Sequence, residues 1–314
     1  MTVSTNVCAR HTGRDVGWLL APALLLLLAF IAPAATSQAP QASSDPRDNP
    51  TAGPLFKKII SNQESCEKLL DQYERIVRTE TRKPGGNASN IETKVWRAFP
   101  IGTGFFKIAL PIDGQPPEPE FYRNELEKLE KYLTWLNQEG AGQKEAYAKA
   151  ERKKKERYDL LEATYQAFIF TRDGEETRQG RKLIKYNIVP NPKYKPTSRN
   201  TTLFTRVRGT IWIDEESSQM AKIDGTVTED ISLALFLAKV YKGSHFMQER
   251  YEISPGVWEP TFEQYDFDGR KFVYSFSIHE RTFYSSYKFV GPPKESVSVI
   301  RAELSKIQTE AAGR

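Results

Sequence analysis

Arg206-Val207-Arg208-Gly209-Thr210-Ile211-Trp212-Ile213-Asp214, a turn through Glu215-Glu216-Ser217-Ser218, and then Ala221-Lys222-Ile223-Asp224-Gly225-Thr226-Val227 decide the fold. In the first run Val207, Gly209, Ile211 and Ile213 fall on one side, with Arg208, Thr210 and Asp214 on the other. In the second, Ala221, Ile223, Gly225 and Val227 oppose Lys222, Asp224 and Thr226. Alternation with period two places one side of each strand on a core and the other toward solvent. Lys242-Gly243, Pro255-Gly256 and Asp268-Gly269 then punctuate the chain at hairpin spacing, which predicts strands over 246–254, 257–267, 271–278 and 282–290. Strands joined this closely are antiparallel neighbours, because a parallel pair needs a crossover of about a dozen residues. The stretch reads as one meandering, twisted sheet.

Toward the N-terminus the character changes. Arg10, His11 and Arg14 precede an apolar run from Trp18 to Phe30, and Ala32-Pro33-Ala34-Ala35 supplies small residues for cleavage. Thirteen apolar residues are too few for a spanning helix, which needs about 20, so residues 1–35 read as an export signal. The mature chain then has no second apolar run, and the expected location is periplasmic or secreted. Removing Arg10, Arg14 and Asp15 lowers the formal net charge of +5 by one, a mild excess that does not argue for nucleic acid. Cys66 becomes the single cysteine, which excludes a disulfide framework and a cysteine-based zinc site. A hydrophobic content of 39% and an aromatic content of 11% suffice for a sizeable core.

Residues 36–53 are rich in Pro, Ser and Ala and read as a flexible leader. Leu55, Ile59, Ile60, Cys66, Leu69 and Leu70 recur at helical spacing and predict a helix over 54–71. Strands are expected over 73–82, 94–100, 104–110, 167–172 and 182–189, with a turn at Asp173-Gly174. Residues 118–161 form a charged helical insertion. Phe121, Tyr122, Leu126, Leu129, Leu133 and Leu136 share one face of its first helix, Gly140-Ala141-Gly142 breaks it, and a second helix is expected over 144–161. The basic run Arg152 to Arg157 reads as a solvated helix face. Gly291-Pro292-Pro293 ends the sheet, and residues 291–314 form a C-terminal helical tail.

Signals of catalysis are sparse. The sequence holds no H-E-x-x-H, no G-x-S-x-G and no phosphate-cradling glycine loop. His245 and His279 each stand apart from metal-ligand or nucleophile spacing, and Ser244 and His245, as strand neighbours, face opposite sides. No catalytic residue, metal site or cofactor is expected, and the chain reads as a non-enzyme. What remains is aromatic. Phe272, Tyr274, Phe276 and Ile278 share one strand side, while Trp212, Met220 and Trp258 sit on mixed sides. Either the sheet packs solidly on helices with a few large side chains at its rim, or one side lines a hydrophobic cavity.

Gly209-Thr210-Ile211-Trp212-Ile213-Asp214 with its following turn and strand resembles the signature of the outer-membrane lipoprotein carrier (LolA-like) superfamily of periplasmic proteins. Asp113-Gly114-Gln115-Pro116, Gly180-Arg181, the Pro-x-Pro-x-Tyr-x-Pro run from Pro190 to Pro196, Lys242-Gly243 and Val257-Trp258-Glu259-Pro260 resemble, in that order, secreted acidobacterial proteins of the same kind. The resemblance runs over about residues 55–290 and implies one mainly β, α+β domain over 54–290: a curved antiparallel sheet forming an open half-barrel covered by helices, with an apolar concavity for acyl chains. The expected function is therefore non-catalytic binding or carriage of a lipid or lipoprotein acyl chain. The alternative is an envelope interaction or structural module with a filled core, bound to another envelope protein. Ile211, Ile213, Ile223, Phe272, Tyr274 and Phe276, selected by strand side, are the expected apolar wall.

Overall fold

A computed structural model describes residues 52–82, 90–233 and 238–312. The export signal, and all but the end of the leader, lie outside the described residues. The N-terminal helix α1 (Ala52–Leu70) leads into β1 (Tyr73–Arg82), β2 (Ile91–Pro100) and β3 (Phe105–Leu110). Helices α2 (Pro119–Leu136) and α3 (Ala141–Ala167) follow, then β4 (Phe168–Arg178) and β5 (Arg181–Pro190). A short turn of helix α4 (Arg199–Thr202) precedes β6 (Val207–Asp214), β7 (Met220–Val227), β8 (Ile231–Leu233) and β9 (Ala238–Val240). The long hairpin β10 (His245–Ser254), β11 (Val257–Lys271) and β12 (Tyr274–Phe289) completes the sheet, and α5 (Pro293–Ala312) ends it.

The strands form one sheet in the order β3-β2-β1-β12-β11-β10-β7-β6-β5-β4, with β9 added to β11 and β8 to β9. Every pair is antiparallel, and the sheet is not closed: β3 and β4 are its two ends. The antiparallel sheet is the one expected from the alternation, and its open α+β half-barrel form is the one the resemblance implied. Directly paired residues point to the same side, so the register defines an inner face. One cross-strand row on it reads Tyr186, Ile211, Ile223, Gln248, Glu263 and Thr282.

The helices cover opposite faces. Phe99 and Ile108 point outward and pack with Leu126, Leu129 and Leu133 of α2 and with Ile300 and Leu304 of α5. Arg97 lies in this outer layer, donating from Nε to Glu74 at 2.6 Å and from Nη1 to Glu303 at 2.9 Å, with Tyr122 bonded to both Arg97 and Glu303. Ala98, next to Phe99, points inward with Val77 and Tyr284. The main core lies on that inner side under α1 and the end of α3, where Phe56, Ile59 and Leu160 meet Phe168, Phe170, Ile188, Val207 and Phe246. The charged insertion is therefore two separate coverings: α2 outside β1–β3 and α3 inside β4–β11. The C-terminal helix, too, is built into a core through Val297, Ile300 and Leu304.

Several boundaries differ from expectation. Asp173-Gly174 is a bulge within β4, between Arg172 and Glu175, and the hairpin turns instead at Gln179-Gly180, where φ is 50° and 78°. Asp268-Gly269 lies inside β11, which continues to Lys271, and the turn falls at Phe272-Val273. The segments expected as 271–278 and 282–290 are one strand, β12. Gly269 is needed for close approach: a Cβ there would sit 2.2 Å from the Lys239 carbonyl oxygen and 2.5 Å from the Phe276 ring. The helix α3 extends past 161 to Ala167, and β8 and β9 were too short to register as alternation.

Gly209, in the decisive strand, is equally constrained, since its Cβ would meet the Asp224 carbonyl oxygen at 2.0 Å. Overpacking of this kind costs about 1–3 kcal/mol. We expect Gly209→Ala to lower the thermal midpoint by several degrees, read by circular dichroism. An unchanged midpoint would refute the close packing of β6 on β7.

Candidate functional site

Between α1, the C-terminal turns of α3 and the inner face lies a cavity of about 130 Å³. Helical spacing brings Phe56, Ile59, Ile60 and Gln63 of α1 onto one side, and they form its roof with Leu161, Thr164 and Tyr165 of α3. Phe170, Ile188, Ile211, Ile223, Met220 and Phe246 form the floor, and Phe56 stacks on Phe170 with ring centroids 3.7 Å apart. The far half of α1 is tied down. Asn62 Nδ2 donates to the carbonyls of Ser217 and Ser218 at 3.0 Å each, and buried Cys66 Sγ accepts from the Trp258 backbone at 3.5 Å. Lys154 and Arg157, within the basic run read as a solvated face, reach across from α3 to Asp71 at 2.7 Å and Glu67 at 3.4 Å. They clamp the two roof helices together.

Of the six expected wall residues, Ile211 and Ile223 line this cavity. Ile213 is buried in the surrounding core, and Phe276 packs against the edge of that core. Phe272 and Tyr274 are 53% and 76% exposed at the tip of the β11–β12 hairpin, with Val273 between them at 83%. The cavity residues contributed by α1, α3, β4 and β10 were not singled out in the sequence; the helical periodicity of Phe56, Ile59 and Ile60 is the signal that points to the roof.

The inner face changes character where β10 meets β11. Buried Glu263 accepts from Gln248 Nε2 at 2.8 Å and from the Tyr284 hydroxyl at 2.7 Å. Burial pushes its carboxyl up to about 7, against those hydrogen bonds and the nearby Arg75. Glu259, likewise buried, is pushed up to about 7 by burial, opposed by Arg250 and Arg75. Burial also raises Glu280 and, strongly, the Tyr265 and Tyr284 phenols. Arg75 lies beneath the Phe105 ring, 4.3 Å from its centroid.

A second polar group, unforeseen in the sequence, sits elsewhere on the sheet. His279 Nε2 is 2.8 Å from Ser277 Oγ and its Nδ1 is 2.8 Å from Asp266 Oδ1. His279 is thus not isolated: Ser277 shares its side of β12, and Asp266 pairs with it across the ladder. Burial pushes the Asp266 carboxyl upward, but hydrogen bonds from Gln264 and His279 outweigh this and hold it below its ordinary value. The order is that of a nucleophile, base and acid. However, Ser277 also donates to Asp268 Oδ1 at 2.6 Å. A carboxylate at that distance opposes the negative charge an attacking oxygen and its oxyanion would carry. None of these residues borders the cavity. Among the described residues, no group of three or more His, Cys, Asp or Glu is arranged to hold a metal, and no helix is long and apolar enough to cross a membrane.

No protein-family model matches the chain, and no curated protein matches it. Among solved structures it is similar to one described as an outer membrane lipoprotein-sorting protein domain from Vibrio parahaemolyticus. That match has 11% identity and a TM-score of 0.31, and covers 74% of this chain and 93% of that one. It is also similar to a DUF1329 family protein from Desulfovibrio piger, at 9% identity and a TM-score of 0.29, covering 74% of this chain and 92% of that one.

The buried carboxyls set a direction for pH dependence. A folded-state value raised from 4.5 to about 7 means that the folded protein keeps a proton the unfolded chain has released. Stability therefore falls as pH rises through that window, and stays lower above it. Glu263→Gln removes one such carboxyl while keeping an acceptor for Tyr284. The variant should gain on the order of 1–3 kcal/mol over the parent at pH 8 and little at pH 4.5. Equal thermal midpoints of parent and variant at both pH values would show that Glu263 carries no such cost.

Proposed function

We propose that this is a non-catalytic protein of the cell envelope that binds a lipid or lipoprotein acyl chain between α1, α3 and the inner face of its half-barrel. The observation that carries the reading is the cavity itself, walled by Phe56, Ile59, Phe170, Ile211, Ile223 and Phe246. Each methylene buried there is worth about 0.8 kcal/mol. A dry cavity of about 150 Å³ accommodates a benzene ring, so the roughly 130 Å³ of this one admits only a short stretch of chain. Longer acyl chains require the roof to lift. The roof is suited to this, because the clamps Lys154–Asp71 and Arg157–Glu67 are partly exposed ion pairs, and such pairs contribute only about 0–1 kcal/mol each. The signal read over residues 1–35 supports export, and the resemblance of the β6–β7 signature to lipoprotein carriers agrees with a periplasmic role.

A second reading, an envelope module that docks another protein, is favoured by one observation: the exposed tip Phe272-Val273-Tyr274. The two differ in what they bind, and one experiment separates them. The mature protein purified from a periplasmic fraction should carry a stoichiometric lipid adduct in native mass spectrometry that disappears on organic extraction. Ile223→Trp, which fills the cavity, should reduce that adduct at least tenfold while leaving the circular dichroism spectrum unchanged. A clean apo mass that takes up no added phospholipid or lipopeptide would refute acyl binding and favour the docking module.

A further inference from the structure

The cavity is bordered on one side by polar groups that an all-hydrocarbon ligand would not need. Along the inner-face row, the side chains are apolar through Tyr186, Ile211 and Ile223 and turn polar at Gln248 and Glu263. The next row does the same, passing from Phe246 through Tyr265 to Glu280. At this boundary Gln248 and Tyr265 both border the cavity and are only 2% and 1% exposed. The Gln248 amide nitrogen is committed to Glu263, which leaves its Oε1 without a hydrogen-bond partner. The Tyr265 phenol oxygen makes no hydrogen bond of ordinary geometry and has only a weak interaction with the Glu263 carboxyl. A buried polar atom without a partner is destabilising, and here one such acceptor and one such hydroxyl belong to residues on adjacent strands that both border the apolar cavity.

Building on the acyl-binding reading above, we infer that the ligand is an acyl chain ending in an uncharged amide, seated with its head against Gln248 and Tyr265. The amide N–H donates to Gln248 Oε1, and the amide carbonyl accepts from the Tyr265 hydroxyl. An ester can accept from Tyr265 but has no proton for Gln248. A carboxylate also lacks that proton, and it brings a negative charge beside buried Glu263 and Glu280. The head end is therefore selective among acyl compounds of equal chain length.

The test uses the mature full chain with three six-carbon probes at pH 8: hexanamide, methyl hexanoate and hexanoate. Binding is read by ligand-observed NMR. Hexanamide should bind roughly two- to tenfold more tightly than methyl hexanoate, the worth of one neutral hydrogen bond, with hexanoate weakest. Tyr265→Phe removes the hydroxyl that both carbonyls accept from, so it should weaken hexanamide and the ester alike and leave the amide preference in place. Gln248→Met should bring hexanamide down to the level of the ester. Equal binding of amide and ester, tightest binding of hexanoate, an amide preference that survives Gln248→Met, or undiminished amide binding by Tyr265→Phe would overturn the inference and leave acyl binding standing. If none of the three probes binds, the inference falls together with the acyl-binding reading.

Discussion

The antiparallel register across β5, β6, β7, β10, β11 and β12 is the constraint on which the rest of this molecule depends. A one-residue slip in any pair would turn every side chain of that strand to the opposite face. Ile211 and Ile223 meet Tyr186 and Gln248 on the inner side only because the ladder is held in phase, despite a bulge between Trp212 and Ile213. Gly209 and Gly269 serve the same end. They let neighbouring backbone and rings approach where any side chain would force the strands apart. The helices respond to this surface rather than create it. The apolar stripe of α1 settles where the inner face is hydrocarbon, and the leucine stripe of α2 settles on the outer face beyond β1.

That inner face is built at a cost. Glu259 and Glu263 are almost wholly buried, in a sheet that could have held leucine or valine at both positions. Breaking a buried polar network by removing one partner is far more damaging than never having built it. Arg75, Arg250, Tyr284 and Tyr287 surround the two carboxyls, with Arg250 donating to the Trp258 carbonyl at 2.6 Å and Tyr287 to the Pro260 carbonyl at 2.5 Å. The half-barrel thus has an oily half under α1 and α3 and a hydrogen-bonded half toward β1. The cavity lies where the two meet.

Much of the architecture was legible because strand alternation is a short-range signal. Residues 207–213 and 223–227 each keep one period, and Gly256 sits where the chain reverses between β10 and β11, whereas at Gly243 the expected hairpin is absent: β9 and β10 run on in one direction, both antiparallel to β11. Gly174 and Gly269 read alike in sequence but perform different work, as a bulge and as a close backbone approach, which only the neighbouring strand reveals. The candidate wall was legible in side but not in depth. Phe272, Tyr274 and Phe276 follow one period, yet position along the strand, invisible in a pattern of two, separates an exposed tip from a residue packed on the core. The Ser277–His279–Asp266 group and the Gln248–Glu263 pair depend on which residues face each other across the ladder, and no local pattern encodes that. Glu259 and Glu263 were masked by the ordinary expectation that charge means solvent.

An unclosed sheet also has free borders, and those at β3 and β4 are not alike. The border at β3 is six residues long and carries Lys107 in its middle. That at β4 is eleven residues long, enough to template the strand of another chain. The bulge at Arg172–Glu175 interrupts it, and Arg172, Asp173, Glu175, Glu176 and Arg178 crowd it with charge of both signs. Kinks and charges of this kind are how proteins with open sheets keep their rims from adding foreign strands and growing into fibrils. The irregularity in β4, a mere misplaced turn when seen from the sequence, thus makes an open half-barrel safe to leave open.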